Sequence, residues 1–395
     1  MTAPAAVSVD AFIPLCVPEV SGNEWAYVKD CLDTGWVSSV GAYVDRFESG
    51  LAAVLGGGSA VATTSGTAAL HVALLVAGVE PDDEVLVSTL TFIAPANAIR
   101  YAGAWPVFVD AEPEYWQMSP IRLREFLERE CEVREGVLRN RGTGRRVRAV
   151  LPVHILGHPV DLEPVLELAG QYGLAVIEDA TESLGARYRG VPVGTLGDLA
   201  CFSFNGNKLL TTGGGGMLVS RDARLAARAR YLTTQAKDDP LEYVHGAIGY
   251  NYRLTNVQAA IGVAQLERLD QYCAAKRRIA ERYGAGLSGV PGVTLMSEAP
   301  WAHSAFWLYT ILVDAARFGM DSRALLRRLA ERNIQTRPLW QPLHRSPAHA
   351  GAQATDCSVA DGLHRDALSL PCSVGLDGAD QDRVIAAVVD AGRAA

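Results

Sequence analysis

Three short stretches of this chain carry residue types that could act together on a carbonyl substrate. The first is Asn205-Gly206-Asn207-Lys208, which follows the apolar, aromatic run Cys201-Phe202-Ser203-Phe204 and precedes Leu209-Leu210-Thr211-Thr212 and four glycines, Gly213 to Gly216. The run reads as a buried strand, Asn-Gly-Asn as a turn, and Lys208 as an amine delivered just past the strand end. An amine among apolar strands and glycine loops loses hydration, which favours its neutral, nucleophilic form. Such an amine can condense with a carbonyl, including that of pyridoxal phosphate. A lone lysine is more often a solvated loop residue, so the weight rests on what accompanies it.

The second stretch is Gly173-Leu174-Ala175-Val176-Ile177-Glu178-Asp179-Ala180, an apolar strand ending in two acids. Alternation sends Glu178 and Asp179 to opposite faces, so at most one of them turns toward a given pocket. A buried carboxylate there needs a cationic partner. The protonated ring nitrogen of pyridoxal phosphate is one, and a helix N-cap is the plainer alternative. The third stretch, Thr63-Thr64-Ser65-Gly66-Thr67, runs into the apolar Ala68-Ala69-Leu70-His71-Val72-Ala73-Leu74-Leu75. Free backbone N–H groups and hydroxyls at a helix N-terminus bind phosphate readily. No Walker lysine follows, so this is not a P-loop. In chain order the three supply a phosphate cradle, a ring-nitrogen acid and an amine.

The elements that must position these groups are legible as alternating patterns. Apolar runs at Glu84–Ser88, Pro106–Asp110, Ala149–Val153, Leu174–Ile177, Ala200–Phe204 and Gly216–Val219 are separated by helical segments. That alternation predicts a mostly parallel sheet covered on both faces, an α/β architecture. Ligands of such sheets lie beyond the carboxyl ends of the strands, where Asp179, Ser203 and Lys208 fall. Gly22 to Leu32 predicts a first amphipathic helix ending near Gly35. The seven arginines from Arg129 to Arg148 predict a solvated hairpin ahead of the next strand. Beyond residue 220, Ala223 to Tyr231 and Val257 to Leu287 carry helical patterns, with Lys276-Arg277-Arg278 expected to face outward. Trp307 to Val313 restores a strand. The expected division is a large domain over 1–259, N-terminal segment included, and a small C-terminal α/β domain over 260–395.

The order Ser65-Gly66-Thr67, Asp179, Lys208, with Phe202-Ser203-Phe204, resembles the fold type I pyridoxal phosphate enzymes, and specifically the nucleotide-sugar aminotransferases of the DegT/DnrJ/EryC1/StrS family. The likeness runs nearly end to end. It includes Gly35-Trp36-Val37-Ser38-Ser39, Thr91-Phe92, Pro152-Val153-His154, Gly249-Tyr250-Asn251-Tyr252-Arg253-Leu254-Thr255-Asn256 and Pro342-Leu343-His344. The resemblance implies that Lys208 forms the Schiff base and then moves the proton, while Asp179 pairs with the pyridine nitrogen. It implies that the Gly66 and Thr67 amides and the Ser65 and Ser203 hydroxyls hold the phosphate, and that Phe92 stacks on the ring. Asn251 matches an asparagine that reaches across a homodimer interface to the phosphate, Arg253 lies near the substrate, and His344 is a fainter candidate for sugar contact.

Glu182 departs from the pattern, because most relatives carry glutamine or histidine there, contacting the phenolic oxygen of the cofactor. A glutamate in that place is expected to be protonated or to turn toward the substrate. The resemblance further implies that L-glutamate converts pyridoxal phosphate to pyridoxamine phosphate, and that the amine then passes to the keto carbon of a nucleotide-linked deoxysugar. Asn205 to Gly216 is similar to the stretch in enzymes of the legionaminic acid and bacillosamine routes, which points to C4 of UDP-2-acetamido-2,6-dideoxy-4-hexulose; GDP- and dTDP-linked sugars are the alternatives. Sugar 3-dehydratases of this fold carry histidine where Lys208 stands. A catalytically silent regulator would need an added DNA-binding segment.

Composition agrees with a cofactor enzyme. At 395 residues, 49% hydrophobic and 20% charged, the chain can bury about three quarters of its unfolded surface. A formal charge of −8 argues against nucleic acid or an anionic membrane as partner. Seven scattered cysteines without a C-x-x-C pair suggest reduced thiols and no metal site. No basic leader or 20-residue apolar span is read, so a cytoplasmic protein is expected.

Overall fold

The computed structural model describes residues 11–239 and 241–393. Seven strands form the central sheet: β1 (Ser59–Thr63), β2 (Glu84–Ser88), β3 (Trp105–Val109), β4 (Val147–Leu151), β5 (Ala175–Asp179), β6 (Leu199–Ser203) and β7 (Gly216–Ser220). Their order across the sheet is β1-β7-β6-β5-β4-β2-β3. Strand β7 is antiparallel to both neighbours, and every other pairing from β6 to β3 is parallel. The near-continuous apolar runs mark strands buried on both faces.

Helices cover the sheet. α1 (Glu24–Thr34), capped by Gly35 in the left-handed region, and α2 (Ala42–Val54) lie on one side with the helix Asn256–Leu266. On the other side, α3 (Gly66–Val76) packs over β6 and β7. Its residues Ala68 to Leu74 are buried all round, which is why its sequence shows no polar face. The arginine-rich insertion is the expected hairpin, Cys131–Arg134 paired with Val137–Asn140. The second layer of structure is a three-stranded antiparallel sheet, Val293–Leu295, Tyr309–Val313 and Ala367–Leu370, backed by the helices Leu269–Leu287, Ser322–Ala330 and Gly378–Arg393.

Two expectations need correction. The helical pattern from Val257 to Leu287 is two helices, interrupted at Glu267 and Arg268. The first of them packs on α1 and α2, so the boundary expected between 259 and 260 falls inside a helix of the large unit. Lys276 is not outward: it is 1% exposed and donates to Trp307 O at 2.8 Å. Its Arg277 and Arg278 neighbours suggested a charged face, but carbonyls from two distant segments solvate the amine instead. Among the described residues no helix is long and apolar enough to cross a membrane.

Candidate active site

The cradle is built by the turn from β1 into α3. Ser65 has extended backbone, and its Oγ accepts from Ala68 N at 3.0 Å, closing the helix N-terminus while its own hydroxyl proton stays available. Among the described residues the Gly66 and Thr67 N–H groups have no acceptor. Glycine lets this turn sit against the sheet: a Cβ on Gly216 of β7 would lie 2.4 Å from the Ser65 carbonyl, and one on Gly66 would lie 2.9 Å from Ser203 Cβ. The result is a set of free amides and hydroxyls at the positive end of a helix, which suits an anion.

At the end of β5 the two acids part as alternation requires. Glu178 is enclosed by four donors: His154 Nε2 at 3.2 Å and Gly194 N at 2.8 Å on one oxygen, Leu196 N at 2.8 Å and Gly197 N at 2.7 Å on the other. His154 Nδ1 accepts from Val160 N at 2.9 Å, so its proton is on Nε2 and points at Glu178. Burial works against the Glu178 anion, yet His154 and the amides hold its carboxyl below the usual range. Asp179 faces the other way, into a cavity. Its Oδ1 accepts from Thr181 N at 3.1 Å, and no ion pair reaches it among the described residues. Burial therefore pushes its carboxyl up, against the Thr181 hydrogen bonds and the charge of Lys208.

Lys208 comes off the turn after β6, with its Nζ 4.0 Å from the centroid of the Trp307 ring and 3.5 Å from Glu182 Oε1. The other Glu182 oxygen accepts from Leu156 N at 2.8 Å. Leu156 supplies that amide from the left-handed region, φ 60°, a conformation unfavourable for a leucine. Burial raises the Glu182 carboxyl, opposed by Lys208 and the Leu156 amide.

Ser65, Gly66, Thr67, Phe92, Asp179, Glu182, Ser203 and Lys208 thus line one cavity of about 270 Å³. Its far wall, Trp307 and Trp340, was not anticipated as part of a site; their rings stack at 6.4 Å, nearly parallel at 6°. The only sequence signal for them was two tryptophans in a chain region otherwise read as a separate small domain. Three expected residues are not brought to this cavity. Asn251 is exposed, bridged to Thr234. Arg253 pairs with Glu48 at 2.8 Å and donates to Ala62 O at 3.1 Å. His344 sits between Thr89 Oγ1, 2.9 Å from its Nδ1, and Asp361 Oδ1, 3.3 Å from its Nε2.

The assembled groups fit pyridoxal phosphate. Free amides and hydroxyls suit its phosphate, a buried carboxylate without an ion pair suits its ring nitrogen, and the Lys208 amine opens onto the same cavity.

Comparison with known proteins agrees. The sequence pattern of the DegT/DnrJ/EryC1/StrS aminotransferase family matches residues 18–389. A GDP-perosamine synthase of Caulobacter vibrioides is 40% identical over 377 residues, covering 95% of this chain and 97% of the relative. One from Escherichia coli O157:H7 is 40% identical over 339 residues, 86% of this chain and 87% of the relative. The crystal structure of the aminotransferase TlmJ from Streptoalloteichus hindustanus superposes with a TM-score of 0.87 at 31% identity, covering 97% of this chain and 99% of that one.

Proposed function

The chain belongs to the DegT/DnrJ/EryC1/StrS aminotransferase family, a family of pyridoxal-phosphate-dependent enzymes, and from that premise we propose that it moves the amino group of L-glutamate to C4 of a nucleotide-linked 4-keto-6-deoxy sugar, UDP-2-acetamido-2,6-dideoxy-4-hexulose. The observation that carries the transfer chemistry is the placement of Lys208 Nζ 3.5 Å from Glu182 in the cavity that Asp179 faces.

Bound pyridoxal phosphate supplies a carbonyl that captures amines and a ring that takes up electrons from the carbon beside it. The α3 N-terminus, with Ser65 and Ser203, holds the phosphate. Asp179, buried and facing the cavity, would keep the ring nitrogen protonated. Lys208 would anchor the aldehyde, and its Nζ would take and return the proton. Glu182, with its carboxyl raised by burial and one oxygen fixed by the Leu156 amide, stands within proton-exchange reach of Nζ. Trp307 and Trp340 close one side against water.

The sugar assignment rests on Asn205 to Gly216 and on the arginine-rich hairpin, both of which resemble features of enzymes acting on UDP-linked N-acetylated sugars. A GDP-linked 4-keto-6-deoxy sugar is the second reading, favoured by the similarity to GDP-perosamine synthases over nearly the whole chain. Supplying both sugars with L-glutamate and following 2-oxoglutarate release decides between them. A kcat/KM about tenfold or more in favour of the UDP sugar is expected. Preference for the GDP sugar establishes the second reading, and inactivity toward both removes the substrate assignment.

Asn251, exposed here, would complete the phosphate site of a second copy, with Arg253 and His344 serving the sugar only after leaving their present partners. Exposed Trp25, Trp36, Phe92 and Ile248 leave apolar surface for a dimer to cover. Inactive Lys208→Ala subunits reassembled with inactive Asn251→Ala subunits should regain activity; persistent inactivity would refute a shared site.

A further inference from the structure

Lys276 presents a buried ammonium that no carboxylate neutralises among the described residues. It donates to Trp307 O at 2.8 Å and to Cys372 O, and Cys16 Sγ stands 3.9 Å away. Carbonyls solvate such a cation without balancing its charge. The ionisable groups beside it are the thiols of Cys16 and Cys372. Cys16 lies on an extended segment fastened next to Cys372: Cys372 N donates to Leu15 O at 2.7 Å, and Val17 N to Ser373 Oγ at 3.0 Å. The Cys372 thiol donates to Trp307 O at 3.5 Å, the same carbonyl that Lys276 binds. Cys16 is half-buried whereas Cys372 is enclosed. One reachable sulfur, one sheltered sulfur and one cation therefore share a single cluster, and the amino transfer uses none of them.

Cys16 differs from the other cysteines. Burial pushes the thiols of Cys31, Cys131, Cys201, Cys273 and Cys357 up, and that of Cys372 is raised by Cys16 and by burial. The Cys16 thiol is lowered to about 6, by the Cys372 thiol beside it and, against burial, by the charges of Lys276 and Lys208. The cluster also touches the cavity wall. Cys16 Sγ lies 3.5 Å from Asn207 O, the carbonyl that accepts from Trp307 Nε1 at 2.8 Å.

We propose that Cys16 is a modification site that reacts as a thiolate with peroxide-class oxidants, and that Cys372 is the thiol that resolves it. In the first step the Cys16 sulfur attacks one peroxide oxygen, the O–O bond breaks, and hydroxide leaves; Cys16 becomes a sulfenic acid. In the second step the Cys372 sulfur attacks the Cys16 sulfur. The S–S bond forms, the S–OH bond breaks, and hydroxide leaves as water with the Cys372 proton. The two electrons lost by the thiols are those gained by the peroxide, and an external dithiol reverses the bond. Lys276 stabilises the anion before the first step.

The test uses the full-length, cofactor-loaded protein, reduced, desalted and given stoichiometric hydrogen peroxide. Peptide mapping should show a Cys16–Cys372 disulfide as the first oxidised species, with two of the seven free thiols disappearing together. In Cys372→Ser the Cys16 sulfenic acid should persist and be captured by dimedone. Oxidation of other cysteines while Cys16 stays reduced, or passage of Cys16 to the sulfinic acid without joining Cys372, overturns the proposal. Because a substitution in this buried cluster could disturb folding, iodoacetamide labelling of the unmodified protein gives an independent measure. Cys16 should react about tenfold or more faster than any other cysteine at neutral pH, and its rate should stay high below the ordinary thiol range. Reaction no faster than at the other thiols refutes the thiolate.

Discussion

Glu178 and Asp179 are consecutive acids on one strand, both buried, and the protein treats them in opposite ways. Glu178 receives four donors and is held as an anion in a closed knot with His154 and the turn Gly194–Gly197. Asp179 is hydrogen-bonded by Thr181 and otherwise looks onto the cavity. A saturated carboxylate stabilises the fold and has nothing left to offer a ligand, whereas an under-coordinated one destabilises the empty protein and is available to a cation. The side of β5 that carries structure and the side that carries chemistry are thus told apart by hydrogen-bond supply, not by burial.

Substitutions can break this contrast in order of expected effect. Asp179→Asn should lower turnover by on the order of 10³-fold without lowering the denaturant midpoint of the cofactor-free protein, because it removes an uncompensated charge. A loss of stability comparable to that in Glu178→Gln would erase the distinction between the two acids. Glu182→Gln keeps the shape and the Leu156 contact but cannot hold and release the proton. Single-turnover rates should show amine transfer to the keto sugar slowed by on the order of 10²-fold, with the glutamate half-reaction nearly unchanged. Equal rates for both halves in variant and parent would make Glu182 a bystander.

Glu178→Gln should behave in reverse: equilibrium unfolding should show a loss of about 3 kcal/mol, the scale for breaking a buried charged network, while the rate per folded molecule stays near that of the parent. The smallest effect concerns pH. Glu178, with its carboxyl lowered on folding, contributes stability above the ordinary glutamate range that is lost as pH falls through its folded value. Asp179 and Glu182, raised on folding, do the opposite: they detract from stability above the ordinary carboxylate range, and the loss is relieved as pH falls through their raised values. In thermal melts of the cofactor-free protein, the stabilisation of Asp179→Asn combined with Glu182→Gln over the parent should therefore be greatest at neutral pH and shrink on acidification.

What was legible in the sequence was whatever is encoded locally. The Ser65-Gly66-Thr67 turn, the strand-end acid and Lys208 each announce themselves by residue type at an element boundary, and alternation alone separated Glu178 from Asp179. What was not legible depends on docking between distant segments. Trp307 and Trp340 reach the cavity only because the C-terminal unit folds back over the strand ends. Lys276 looked solvent-facing among arginines, and it is buried because Trp307 O and Cys372 O converge on it. Arg253 carries a charge whose partner, Glu48, lies on α2 more than a hundred residues upstream, so no spacing rule could assign it.

Lys208 and Lys276 are both largely buried amines, but only Lys208 opens onto the cavity. The most direct test of the account is to load the protein with pyridoxal phosphate, reduce it with borohydride, and locate the modified residue by peptide mass spectrometry. The account predicts a pyridoxyl group on Lys208 alone, and none on that peptide if glutamate is added before reduction. Labelling of Lys276 or of any other lysine in place of Lys208 would contradict it.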